Sequence, residues 1–368
     1  MVYDVIVSGV GPAGAAFLKQ LEGSGLKVLA LEKEEFPRKK LCAGGLTPKA
    51  YALINNLFTD VDKVVRCKVF SFHLFNGNDE VVVSSSQPFT YLTDREELDN
   101  FLFEKVSSNF EIHTAEPVVD VELEEDRVKV VTDRDTYWCR CLIAADGANS
   151  RIARKLRVKR KFGFTYEGDF KCNWSEEIVI DFTDFDWGYY WIFPKGNFVT
   201  AGLGEFKNYR DLKKRLMLFN AKHNVKGNST YEGGFPIPAG QRKNDVLRNR
   251  VIFLGDAGGL VDPLTGEGIY YAVKSGVYAA EVVKKVFESG KFDNLTVYKK
   301  LINKDMGNEF LWAKVVGGIF FNFKRLNFHF ARKNPKIENL TAELLSGRIT
   351  YKEAVKIFLK FLPKALLR

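Results

Sequence analysis

Four histidines, His73, His113, His223 and His329, are scattered through 368 residues, and none stands beside another or beside a motif. Hydrolysis built on an imidazole base therefore has no visible footing. Cysteine is also scarce, with five residues, an odd number. Cys139 and Cys141 share one strand-like run without a second Cys pair or a His cluster, so the spacing argues against zinc and no metal is expected. Met1 runs straight into a strand without a basic and apolar leader, and the expectation is an intracellular, reduced, cytoplasmic protein. No run approaches the ~20 uninterrupted apolar residues of a spanning helix. Contact with a membrane is then expected only from outside, at its inner face. RNA-recognition, KH and zinc-ribbon patterns are missing too, and no nucleic acid is expected despite a net charge of +9, which an anionic membrane or a phosphorylated substrate would also suit.

The length exceeds that of a usual single core and implies two domains or one elaborated domain. With 46% hydrophobic and 27% charged residues the chain is globular. Its 31 Phe and 14 Tyr point to a large apolar cavity, an apolar partner or a Phe-rich core.

The rest of the chain is organised around its first thirty-two residues. A β-branched run, Tyr3 to Ser8, leads directly into Gly9-Val-Gly11-Pro-Ala13-Gly14, a helical stretch, and a second apolar run ending in Glu32. This is a complete βαβ unit with a dinucleotide fingerprint. Gly9 permits the tight turn, Gly11 lets a pyrophosphate approach the backbone, Gly14 brings helix and strand together, and the helix start presents free N–H groups to phosphate. Glu32 is placed to accept from a ribose hydroxyl. Two later strands also end in acids, the first in Asp146-Gly147 and the second, Val251 to Leu254, in Gly255-Asp256. A glycine-rich loop follows to Gly266 and Gly268, and a helix runs from Ile269 to Phe287. A strand this late in the chain must complete the first sheet, so the domains are interleaved.

Between these lie other signals. The loop Phe36 to Pro48 carries Cys42, either a buried small hydrophobe or a functional thiol, and Gly44-Gly45, which implies close approach by something planar or anionic. A hairpin turns at Asn76-Gly77-Asn78. Thr93 reads as a helix N-cap with Glu96 in the capping-box position. Arg95 then opposes the helix dipole unless a ligand or solvent compensates it. From Phe162 to Phe235 the alternation suggests a mostly antiparallel sheet. The expected division is 1–65, 93–160 and 240–290 for the nucleotide domain, 66–92 and 161–239 for the sheet domain, and 291–368 for a basic helical segment. The amphipathic tail of that segment, Lys352 to Arg368, reads as a docked helix or a membrane-surface contact.

The four motifs in this order, namely the glycine fingerprint with Glu32, Arg95 in Asp-Arg-x-x-Leu-Asp, Asp146-Gly147, and Gly255-Asp256 with its glycine loop, resemble the FAD-dependent monooxygenase-like flavoproteins of the glutathione-reductase structural class. Lys40-Leu-Cys42-Ala43-Gly44-Gly45-Leu-Thr-Pro48 and Tyr189-Tyr190-Trp191-Ile-Phe193-Pro194-x-Gly196, followed by Ala201-Gly-Leu-Gly204, are similar to signature segments of the geranylgeranyl reductase family, especially its archaeal members acting on isoprenoid ether lipids. The resemblance covers about Val2 to Tyr278. It implies an α/β fold in which a Rossmann-like FAD-binding domain is interleaved with an antiparallel-sheet substrate domain and followed by a C-terminal helical segment.

By that resemblance FAD is held at Gly9, Gly11, Ala13, Gly14, Glu32, Lys33, Cys42, Ala43, Gly44, Gly45, Arg95, Val118, Asp146, Gly147, Gly255, Asp256, Gly266, Gly268 and Ile269. An isoprenoid chain then lies against Tyr189, Tyr190, Trp191, Phe193, Pro194 and Gly204. Strand alternation puts Tyr189 and Trp191 on one face and does not tie Tyr190 or Phe193 to it. The implied reaction saturates C=C bonds by hydride transfer from reduced flavin and protonation, with Cys42 the first candidate acid and Tyr190 the second. Only one complete dinucleotide fingerprint is present, so the electron donor is expected to be a visiting NADPH, ferredoxin or another carrier. A flavin hydroxylase or halogenase shares the FAD motifs, and an electron-transfer or RNA-binding flavoprotein is the remaining alternative.

Overall fold

The strand Val2–Ser8 is buried from Val5 onward, as a parallel strand between two covering layers must be. In the computed structural model, which describes residues 2–175 and 177–365 with side chains to residue 360, it pairs in parallel with Val28–Leu31 on one side and Thr136–Ala144 on the other. Val251–Phe253 adds beyond Thr136–Ala144, and Glu111–His113 beyond Val28–Leu31. Strands distant in sequence therefore end side by side, bringing Gly9, Glu32, Asp146 and Asp256 to one edge. That edge is where an open α/β sheet places its ligand crevice. Leu247–Arg248, Val128–Thr132 and Val118–Leu123 complete an eight-stranded sheet.

One face of the sheet is covered by the helices Pro12–Leu21, Pro48–Phe58, Arg95–Ser107 and Ile269–Ser289, whose apolar sides share one core. The last of these crosses the first at Gly276, where a Cβ would stand 2.4 Å from the Ala13 carbonyl oxygen. The helix expected to be capped by Thr93 is capped instead by Asp94, whose carboxylate accepts from the Glu96 N–H at 3.0 Å. Thr93 is committed to the strand Thr90–Thr93, where its N–H and hydroxyl both donate to the Gly44 carbonyl. Pairing to another strand outweighed the local capping preference.

The second sheet has seven strands in the order Ser229–Ala239, Lys161–Phe170, Val199–Glu205, Gly188–Pro194, Ile178–Asp181, Ser71–Asn76 and Asp79–Ser84. It is antiparallel except where Ile178–Asp181 meets Ser71–Asn76. The block 66–92, read as one unit from sequence, divides: the hairpin joins this sheet, while Val65–Val69 and Thr90–Thr93 form a small separate sheet with Gly45–Leu46.

The helices Thr296–Asn322, Lys324–Lys333, Pro335–Leu345 and Tyr351–Ala365 then wrap from the first sheet to the second. Tyr298 is fully buried and donates to the Phe253 carbonyl, anchoring the start. Phe328 packs with Phe182 and Phe320 at the other end. Tyr351 and Ala354 dock the tail, whose last residues, 366–368, lie outside the described ones together with the side chains of 361–365. Among the described residues no helix is long and apolar enough to cross a membrane.

Candidate functional site

A cavity of about 1250 Å³ runs between the two sheets and under the C-terminal helices. Ordinary ligand pockets hold roughly 300–1,000 Å³. One end is polar and glycine-lined, with Gly9, Gly11, Ala13, Glu32, Lys33, Val118, Asp146 and Gly147 on its wall. Gly9 has φ +95°, and a Cβ there would strike the Ala145 carbonyl oxygen at 2.5 Å. The Glu32 carboxylate accepts from the Val10 N–H at 2.8 Å and is thereby held at the strand end. Asp146 Oδ1 is buried without a partner among the described residues, and burial pushes its carboxyl above the usual range. An orphaned acceptor of this kind calls for a donor from a ligand. Gly14 and Gly255 stand behind this wall: a Cβ on Gly14 would lie 2.0 Å from the Gly9 oxygen, and Gly255 packs against Ala272 and Ala13.

The middle of the cavity is cationic. Arg95 is buried and donates through Nε and Nη2 to both oxygens of Asp99, each at 2.8 Å, while Arg38 reaches the same carboxylate at 3.1 Å. Burial alone would raise the pKa of Asp99, which is 0% exposed, but the two guanidiniums and Lys40 hold it low. Asp99, and not ligand or solvent alone, is thus what compensates Arg95 at its helix start. It aims two guanidiniums at the cavity, and Arg38 Nε is left without a partner among the described residues. Lys40 also faces the cavity, its pKa lowered by burial and by Arg95. The Cys42 sulfur lies within reach of Arg95 and accepts from the Gly44 N–H at 3.4 Å. Ala43, Gly44 and Gly45 line the same wall, yet what crowds Gly44 and Gly45 is protein. A Cβ on Gly44 would meet the Thr93 oxygen at 2.0 Å, and one on Gly45 the Phe193 ring at 3.0 Å.

The loop carrying Asp256, Gly266, Gly268 and Ile269 forms the next part of the wall. It is pinned from three directions. Glu267 pairs with Lys49 at 2.8 Å, Trp187 Nε1 donates to the Pro263 carbonyl at 2.8 Å, and Tyr351 donates to Asp262 at 2.9 Å. The Tyr189 hydroxyl donates to the Thr265 carbonyl, tying the second sheet to the loop.

Beyond the loop the wall is apolar. Tyr189, Trp191 and Phe193 line it with Gly204, Phe182, Phe320 and Leu344. Phe193 shares the parity of Tyr189 and Trp191 along the strand and therefore shares their face. Tyr190 and Pro194 have the other parity and do not line the cavity, which corrects the expectation for both. Tyr190 is 0% exposed, stacks 4.9 Å from Phe219, and donates to Asn220. Burial pushes its pKa up, and its hydroxyl, given to Asn220 on the far face of the strand, does not reach this cavity. Tyr190→Phe is expected to cost about 1–3 kcal/mol of stability through the orphaned Asn220 amide, seen as a lower melting temperature, while turnover per folded molecule stays unchanged.

Several residues of the site carry no signal in sequence that marks them as such, among them Arg38 and Lys40 on the cavity wall, Asp99 behind them, and Glu167. Asp99 closes the Asp-Arg-x-x-Leu-Asp motif without a role that its neighbours announce, and Glu167 lies in the alternating stretch Phe162 to Phe235 with no local signal to mark it. Glu167 is 3% exposed and faces the cavity beside Trp191.

No protein-family model matches the sequence. An uncharacterized protein of Methanosarcina barkeri is 30% identical over 344 residues, 89% of this chain and 86% of its own length. The geranylgeranyl diphosphate reductase of Rhodobacter capsulatus is 29% identical, over 84% of this chain and 82% of its own. The menaquinone reductase of Mycobacterium tuberculosis is 30% identical over 76% of each chain. A geranylgeranyl bacteriochlorophyll reductase-like protein from Thermoplasma acidophilum, solved by crystallography, superposes with a TM-score of 0.80 at 22% identity, over 99% of this chain and 98% of that one. With a glycine-lined polar end opening into an aromatic gallery, and with these relatives, the chain belongs to the geranylgeranyl reductase family of flavin-dependent oxidoreductases.

Proposed function

We propose that the protein is an FAD-dependent reductase that saturates the C=C bonds of geranylgeranyl chains, on membrane lipids of the archaeal type or their precursors. The observation that carries this reading is the continuity of one cavity from a dinucleotide-type glycine turn to a gallery of Tyr189, Trp191, Phe182 and Phe320. The residues fit FAD. Among the described residues the helix start at Gly11 has no side-chain cap, Glu32 stands at the second strand end, and Asp146 Oδ1 and Arg38 Nε are buried without a partner. Gly9, Gly11, Glu32, Arg38, Asp146 and Asp256 would hold the cofactor, which supplies a hydride when reduced.

The apolar gallery suits a prenyl chain, since each buried CH₂ contributes about 0.8 kcal/mol. It excludes water from the reacting bond, and Arg38, Lys40 and Arg95 offer charge to an anionic head group. Ile319 and Leu359 line the cavity and are also 44% and 57% exposed, which supports entry of the chain from a membrane surface. The named substrates of the relatives differ in head group, so the chain is the part of the substrate this reading commits to. The electron donor is a separate carrier, NADPH or a redox protein.

The test is to reduce the purified protein chemically without oxygen and add geranylgeranyl lipids. Flavin reoxidation with a gain of one H₂ per double bond is expected. A flavin that stays reduced until oxygen is admitted would overturn the assignment. Cys42→Ala in the same assay is expected to keep its flavin; unchanged turnover would eliminate Cys42 as the acid.

A further inference from the structure

We infer that Glu167 is the proton donor of the reduction, a role that rests on the prenyl-reductase reading above. Position is the first support. Lys161–Phe170 pairs with Val199–Glu205, which pairs with Gly188–Pro194, so that Glu167, Gly202 and Trp191 form one row across three strands. A Cβ on Gly202 would lie 2.5 Å from Glu167 Cβ and 2.4 Å from Trp191 Cζ2. The absent side chain is what lets the Glu167 and Trp191 side chains close over Gly202, and both face the cavity. Trp191 Nε1 is buried there without a partner among the described residues, so this stretch of wall has polar capacity that the protein does not consume.

Charge is the second support. Lys195, whose Nζ lies beside Gly44, and Arg95 and Lys40 on the cavity wall all favour the ionised carboxylate, and Asp169 on the same strand opposes it. Burial outweighs them and pushes the Glu167 carboxyl up to about 7. A general acid works best with a pKa near the working pH. Three other proton-bearing groups of the wall are engaged elsewhere: Glu267 by Lys49, Glu32 by the Val10 N–H, and the Tyr189 hydroxyl by the Thr265 carbonyl.

An unactivated alkene is a poor hydride acceptor, so protonation has to accompany hydride arrival. The O–H bond of Glu167 breaks and a C–H bond forms at one alkene carbon. The other carbon takes the hydride from reduced flavin, the π bond is consumed, and the flavin is oxidised by two electrons. The carboxylate left behind regains a proton from water once product leaves.

The test compares wild type, Glu167→Gln and Glu167→Asp, all loaded with flavin. Infrared titration should show a protonated carboxyl that is lost as pH rises through about 7 and is missing in Glu167→Gln. In anaerobic single turnover with a geranylgeranyl substrate, wild type should slow as pH rises through the same range. Glu167→Gln should be slower by about 10²–10⁴-fold, with flavin content and substrate binding kept, and Glu167→Asp should recover part of the rate. Wild-type rates in Glu167→Gln at every pH, or a carboxyl already ionised in mildly acidic buffer, would overturn the role. If wild-type flavin stays reduced with substrate present while the carboxyl titrates as described, the substrate reading has failed and the role falls with it.

Discussion

Gly14→Ala is expected to strip the protein of its flavin and to lower its melting temperature sharply. The added Cβ would stand 2.0 Å from the Gly9 carbonyl oxygen and 3.0 Å from its carbon, both backbone atoms of the turn that begins the nucleotide site. No side chain can swing aside to relieve that contact, so the helix Pro12–Leu21 has to lift from the sheet. Its far side is already pressed against Ile269–Ser289 at Gly276, and the displacement has nowhere to go. Overpacking of a close-packed core costs about 1–3 kcal/mol and sometimes more, and here it also moves the N–H groups that would face the phosphates. Flavin retained through gel filtration and a thermal melt are the readouts. Gly318→Ala is the matched control. It lies in the helix Thr296–Asn322 with nothing among the described residues within 4 Å of where a Cβ would stand, and the same chemical change should stabilise by up to about 1 kcal/mol. A Gly14→Ala protein that melts normally and keeps its flavin would contradict the close packing of helix on turn.

The second large effect is on the pH dependence of stability. A carboxyl that titrates near 4.5 unfolded and near about 7 folded holds its proton in the native state after the unfolded chain has lost it. Stability therefore falls as pH rises from about 4.5 to about 7, and above that range the full cost of ionising a buried Glu167 is present. Glu167→Gln stays neutral throughout. It is expected to be more stable than wild type by about 3 kcal/mol at pH 8, with the difference closing toward pH 5. Thermal melts of both proteins across that range check it. Parallel curves would mean that the carboxyl is solvated in the folded state. The effect opposes the catalytic one, as expected where a functional group is kept in an unfavourable environment.

The nucleotide half was readable because its chemistry is local. A β-branched run, a glycine turn and an acid at the next strand end are separated by few residues, and each carries its own steric or electrostatic reason. The pairing of Val2–Ser8 with Thr136–Ala144 follows once both are recognised as strands that end in ligand-facing turns. The aromatic strand was readable as a wall, but the face taken by Phe193 and the loss of Tyr190 to the opposite core required only strict attention to alternation. Thr93 was misread because a capping preference of about 1 kcal/mol competes with a strand partner that nothing nearby in the chain announces.

What the amino-acid order determined by itself was the dinucleotide turn, its acids, and the presence of an aromatic strand, since these depend on neighbours within a few residues. Tertiary structure alone decided that Asp99 aims Arg95 and Arg38 inward, that four C-terminal helices roof the gallery, and that Glu167 is buried. Each of these is set by contacts between segments far apart in sequence, and a carboxyl's environment is a property of what surrounds it in space. In Glu167's case the deciding neighbour is Gly202, thirty-five positions away, whose missing side chain makes room for an acid at the edge of an apolar wall.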